Sequence, residues 1–265
     1  MILCYHGITQ RIGPDPDDRS AIAVDRSLFL RHLRYLKRHY NVIGLREYLT
    51  ARKNGNPQPP HSVILTFDDG LRNFLTVAAP ALNEFGLPAT VFLVTDQVEA
   101  RNASNLASNW APLDDRISLS WEEAKALQSA QRIEFGSHTC SHPELPQLSS
   151  NLDRELRDSF QAIHENLHGT LLPSLAYPYG DYSEPIVEKA RLTGYSCALT
   201  TQAGSNSKNT DLFKLRRAVV RRYDSTEIFE ARVSGFIGWL RIARDVLRKL
   251  SLPLVRLRNS AADFL

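Results

Sequence analysis

Short runs rich in β-branched and apolar residues alternate with helical patterns along this chain, and that alternation restricts the fold more than any other feature. Seven runs read as strands: Ile2–Tyr5, Val63–Phe67, Thr90–Val94, Arg132–Phe135, Leu175–Tyr177, Tyr195–Leu199 and Leu215–Val220. Between them, Asp25–Tyr40 sets Phe29, Leu33, Leu36 and Tyr40 at helical spacing, and Leu71–Phe85 ends at Gly86, a natural C-cap. Ser120-Trp121-Glu122-Glu123 is a capping box ahead of Ala124–Ala130. Leu152, Leu156, Phe160, Ile163 and Leu167 form one apolar stripe closed by Gly169, and a helix opened by Ser183 and Pro185 stops at Gly194. Strand followed by helix, six or seven times in 265 residues, predicts parallel βα units in a barrel or a doubly wound sheet.

Such folds carry their chemistry at the C-terminal ends of the strands. Thr66-Phe67-Asp68-Asp69-Gly70 leaves the second run directly. Adjacent carboxylates repel unless something compensates them: one aspartate can bind a metal while the other acts as a base, although Asp-Asp-Gly also makes a good plain turn. Phe135-Gly136-Ser137-His138-Thr139-Cys140-Ser141-His142 ends another strand. Histidines four apart in a short turn can converge on one cation. With Asp69 they would supply three protein ligands and leave a position for water; two solvated loop histidines are the alternative. Cys140 reads as structural. Ala176-Tyr177-Pro178-Tyr179-Gly180 forces a sharp turn that can offer a backbone N–H to a developing oxyanion. His6, after Tyr5, has an unperturbed pKa of about 6.5, which suits a general acid as well as a satisfied core histidine.

Taken together, these motifs resemble the polysaccharide deacetylases of the NodB-homology family, carbohydrate esterase family four. The resemblance rests on TFDDG at 66–70, on His138 and His142, and on Tyr177-Pro178-Tyr179-Gly180, and spans about residues 1–235. It implies an irregular (β/α) barrel of about seven parallel strands. It also implies a metal-dependent hydrolase that removes N-acetyl groups from an N-acetylhexosamine glycan or its precursor. In that reading Asp68 is the base, and Asp69, His138 and His142 hold a divalent cation, zinc by default with nickel, cobalt, manganese or iron as alternatives. The Tyr179 N–H is the oxyanion donor. Two expected residues are missing: the arginine opening the third motif is Ala176, and no histidine follows His168. The resemblance extends to the poly-N-acetylglucosamine deacetylase branch, which implies His6 as the acid and an arginine from a late strand beside the base, Arg217 rather than Arg216. If both substitutions fail, the chain is a glycan-binding relative without activity.

His164-Glu165-Asn166-Leu167-His168 is also a literal H-E-x-x-H, the zinc-protease pattern, with Glu188 as a conceivable third ligand. Its place at a helix end disfavours it. His32 and His39 read as surface residues. Asp96–Ser118 reads as a long polar loop shaping a substrate groove.

The net charge of +3 argues against a nucleic-acid binder, yet residues 214–265 hold 12 Lys and Arg against 5 Asp and Glu. Phe236–Leu257 has an apolar stripe backed by Arg241, Arg244, Arg248 and Lys249. The chain therefore divides into a barrel, 1–235, and a basic amphipathic segment, 236–265, which packs on the barrel or lies on an anionic membrane. Three scattered cysteines, the lack of a leader pattern and the lack of a long apolar run place the simplest expectation in the cytoplasm.

Overall fold

The computed structural model describes residues 1–10, 22–103, 117–130, 132–167 and 172–235. Residues 11–21, 104–116, 131, 168–171 and 236–265 lie outside them, and with these His168, Gly169 and much of the Asp96–Ser118 stretch. Among the described residues there are ten strands: β1 (Ile2–Tyr5), β2 (Ile8–Thr9), β3 (Val24–Asp25), β4 (Asn41–Val42), β5 (Ser62–Phe67), β6 (Ala89–Leu93), β7 (Ile133–Ser137), β8 (Ser174–Ala176), β9 (Cys197–Leu199) and β10 (Ala218–Val219). The helices are α1 (Arg26–His39), α2 (Leu45–Lys53), α3 (Ala79–Phe85), α4 (Thr95–Ala103), α5 (Trp121–Ala130), α6 (Ser159–Asn166), α7 (Glu184–Thr193) and α8 (Thr226–Val233).

Seven parallel strands form an irregular (β/α) barrel in the order β10-β1-β5-β6-β7-β8-β9, with β4 paired to the start of β5. The barrel alternative, and not the doubly wound sheet, is the one adopted. Alternation sorts the side chains. Leu3, Tyr5, Leu65, Phe67 and Val91 pack outward against helices, while Ile2, Ile64, Phe92, Ala176, Leu199 and Leu215 form an inner cluster.

The run Leu215–Val220 does not form one strand. Leu215 pairs with Leu199, and Ala218–Val219 pair with Leu3 and Cys4. The chain thus crosses from one barrel edge to the other, and Arg217 sits at the crossing. Other boundaries move for local reasons. Tyr195 donates its N–H to Ala190 O and finishes α7, so β9 starts at Cys197. Leu71 and Arg72 bond to Ser118 and Ile117 instead of opening a helix, and the helical stretch begins with a π-turn at Phe74–Ala78. Asp96–Ser118 is not all loop: its first part lies in α4, with Asp96 in the first turn.

The cap signals are realised. Gly86 and Gly194 adopt left-handed conformations, and Ser120 and Glu123 exchange side-chain-to-backbone bonds of 3.2 and 3.0 Å. His32, expected on the surface, is fully buried. It lies three residues after Phe29 and four before Leu36, inside the apolar stripe of α1, and stacks on Phe229 with centroids 3.7 Å apart.

Candidate active site

Asp68 leaves β5 directly, and its N–H donates to Tyr5 O on β1 at 2.9 Å. Extending the pairing of Cys4 with Thr66 and Tyr5 with Phe67 sets His6 opposite Asp68. Asp68 is buried, and Arg217 meets it with two hydrogen bonds, Nη1 to Oδ1 and Nη2 to Oδ2, each 2.7 Å. Arg217 is itself held by Nε–H to Thr200 O at 2.9 Å and by Nη1–H to Thr66 Oγ1 at 3.2 Å. Arg216 is exposed and bonds Asn206 through its backbone. Burial alone would raise the Asp68 carboxyl, but the Arg217 guanidinium outweighs it and holds the group well below the usual carboxylate range. The guanidinium takes its positive charge about 5.7 Å from the Phe92 ring centre, in the interior that Ala176 also lines.

Asp69, His138 and His142 converge. Their ligand atoms all lie within 4.8 Å of one another, and Asp69 Oδ1 is 3.6 Å from each histidine Nε2. Two ligands about 2.1 Å from a tetrahedral ion would sit about 3.4 Å apart, so carboxylate and imidazoles fit one divalent cation in number, type and spacing. His138 Nδ1–H donates to Ala176 O at 2.8 Å, which leaves Nε2 with its lone pair toward Asp69. Burial pushes the His138 pKa down, against the pull of Asp68 and Asp69, and so favours the neutral ligand form.

The backbone here is strained. Of six non-glycine residues with positive φ among those described, four are Asp69, Thr139, His142 and Tyr179. Gly70, at φ 61, also has no room for a side chain: a Cβ would meet Leu93 at 2.6 Å.

Glu155 holds the histidine turn. Its buried carboxylate accepts Cys140 N–H and Ser141 N–H at 2.9 Å each through Oε2, and Ser141 Oγ–H at 2.8 Å through Oε1. Sequence reading missed this residue. The available signal was a glutamate at position 155 beside a stripe whose buried members are Leu156, Ile163 and Leu167, and it sits in a π-turn, Arg154–Asp158.

Tyr179 occupies a tight turn at φ 59 and lays its ring edge-on to His142, centroids 4.8 Å apart. The turn's bonds run from Gly180 N–H to Tyr177 O and from Asp181 N–H to Pro178 O, so neither consumes the Tyr179 N–H. Thr201 Oγ1–H anchors the turn by donating to Tyr179 O at 2.9 Å. His6 lies at the same strand-end face. Its Nδ1 is buried and finds no partner among the described residues. Burial lowers its pKa, opposed by Asp68 and Asp69.

Of the protease pattern, His168 lies outside the described residues, and the described members do not come together. His164 and Glu165 are exposed on α6, Glu165 accepts from Gln161, and the helix ends at Asn166. Glu188 is exposed on α7, and no metal-ligating group forms around these residues among those described.

The irregular parallel barrel on which these residues meet is the fold of solved deacetylases. The polysaccharide deacetylase family model matches residues 55–198, more than half the chain, and the chain belongs to that family. It is 29% identical over 203 residues to the poly-beta-1,6-N-acetyl-D-glucosamine N-deacetylase of Staphylococcus aureus, covering 71% of this chain but only 64% of that protein. Streptococcus pyogenes deacetylase PplD, solved with acetate, superposes with a TM-score of 0.74 at 26% identity, over 88% of this chain and 96% of that one. IcaB from Ammonifex degensii shares the fold, with a TM-score of 0.69 at 24% identity over 88% and 95%. Among the described residues no helix is long and apolar enough to cross a membrane.

Proposed function

We propose that this chain hydrolyses the acetamide of an N-acetylhexosamine unit in a polysaccharide or glycan precursor. The observation that carries the reading is the meeting, at one strand-end face, of the buried Asp68–Arg217 pair with Asp69, His138 and His142. The name of the Staphylococcus aureus relative supports N-acetylglucosamine as the sugar.

Asp69, His138 and His142 would hold a divalent cation, zinc by preference, which supplies Lewis acidity toward water and the amide carbonyl. Asp68 takes a proton from the attacking water. Arg217 keeps that carboxylate ionised and fixes its plane. The Tyr179 N–H donates to the oxygen that gains charge as the carbonyl carbon becomes tetrahedral. His6 gives a proton to the departing nitrogen as the C–N bond breaks, releasing acetate and a free amine. Burial makes imidazolium at His6 a readier proton donor, in keeping with that role.

The test is acetate release from β-1,6-linked N-acetylglucosamine oligomers by the purified, zinc-supplied protein. Release is expected from wild type and lost in both Asp68→Asn and His6→Ala. Full activity in His6→Ala would overturn the acid assignment, and glycan binding with no release by wild type would make the protein a binder. For residues 236–265 we propose contact with an anionic membrane surface. Deleting them is expected to abolish binding to anionic vesicles and leave acetate release intact; unchanged vesicle binding would remove the idea.

A further inference from the structure

One neighbour of Asp68 has no part in the scheme above. Along β1, Ile2, Cys4 and His6 share the inward face, and Cys4 lies opposite Thr66, one layer beneath His6 and Asp68. Cys4 is fully buried. Its Sγ is 3.3 Å from Asp68 Oδ2, whereas its other acceptor, Tyr5 O, is 3.9 Å away. Burial raises the thiol well above its ordinary value. Arg217 opposes this and Asp68 adds to it, so the group is an S–H and must be the donor toward the carboxylate.

Two other roles for Cys4 fail on the same geometry. All three cysteines are free, so it has no disulfide partner. Cys4, His6 and Asp68 also lie close enough to hold a cation. Both Asp68 oxygens, however, are already bonded to Arg217, whose positive charge opposes a second one at that spot.

We propose that Cys4 is a positioning residue: its S–H donates to Asp68 Oδ2 and, with Arg217, fixes the orientation of the carboxylate. The inference rests on Asp68 being the base. A neutral thiol is a weak donor, but its acceptor here is ionised and both are out of water, which strengthens the bond. The position needs a small buried side chain with a proton to give. Valine satisfies the first demand and serine the second.

That contrast sets the experiment. Cys4→Ser and Cys4→Val are made in the full chain, and kcat, KM for acetate release and the thermal midpoint are measured. Serine is expected to keep kcat within about threefold of wild type. Valine is expected to lower kcat about tenfold with KM within twofold, although its thermal midpoint is no lower than that of serine. The reverse order, valine active and serine impaired, would mean packing alone and overturn the proposal; so would equal kcat in all three proteins. If valine prevents folding, Cys4→Ala supplies the variant without a donor, and its kcat must fall below that of serine. A second readout needs no activity. The Raman S–H stretch of Cys4, isolated by difference against Cys4→Ser, is expected at lower frequency than that of Cys197, which lies in the apolar inner cluster. Equal frequencies would overturn the hydrogen bond. Absence of acetate release from wild type, with the shifted band present, would instead remove the function and leave the bond standing.

Discussion

Asp68 and Arg217 face each other through two parallel 2.7 Å hydrogen bonds across 149 residues of sequence, and both are buried. A buried ion pair of this kind is expensive to break from one side, because the remaining charge stays desolvated. Arg217→Leu is expected to destabilise the fold by about 3–5 kcal/mol, and Asp68→Leu by a similar amount. The double substitution should recover much of that loss. A urea-unfolding double-mutant cycle reads the coupling, and strictly additive effects would refute it.

His32 makes stability depend on pH. Burial lowers its pKa from 6.5 to about 3, while Tyr5 Oη pairs with its Nδ1 at 3.2 Å. The unfolded chain therefore binds a proton at His32 that the folded chain refuses between those two values. Its contribution is complete above about pH 6.5 and drains away as the pH falls toward 3. Between pH 7.5 and 5, few carboxylates titrate, and His6 and His138, whose pKa values burial also lowers, contribute alike to wild type and to a His32 variant, so the difference between the two proteins reads His32. Wild type is expected to lose unfolding midpoint over that window and His32→Gln to lose clearly less. Parallel lines for the two proteins would dismiss the assignment.

Ligand binding at Asp69, His138 and His142 should stabilise the folded state by mass action. Added zinc is expected to raise the melting temperature of the metal-stripped protein by several degrees. His142→Ala should abolish the shift. A variant that binds and responds like wild type would show that these three residues do not hold the ion.

Glu155 touches no substrate in this scheme, yet it ties down the backbone between the two histidines. Glu155→Ala is expected to weaken zinc affinity by about 10–100-fold, as loss of support around metal ligands commonly does. Calorimetric titration measures this directly, and unchanged affinity would reduce Glu155 to a packing residue.

The barrel was legible because seven β-rich runs carry a strong local pattern, and the acidic and histidine motifs because their residues are neighbours in sequence. What escaped reading is what depends on distance. Cys4 and Glu155 look like ordinary breaks in apolar stripes until the strands and turns they touch are in place. His32 was misread since a histidine inside an amphipathic stripe gives no sign that Phe229 covers it. β2, β3 and β4, two residues each, are too short to leave a periodic trace. The late run Leu215–Val220 has uniform β character, and nothing local marks the point where it changes partners.

That change of partners also sets a timetable. The segment that seals the barrel is the one that delivers Arg217, and its pairing partners on β1 lie more than 200 residues earlier. Contacts so far apart in sequence close late, after the intervening units have formed. During synthesis the growing chain would already have laid down His6, Asp68, Asp69 and both turn histidines, yet the Asp68 carboxylate would lack its counter-charge until the final strand arrived. On the proposed function, hydrolytic competence is thereby reserved for the finished molecule: a chain arrested near residue 210 would carry most of the side chains of the site and remain unarmed.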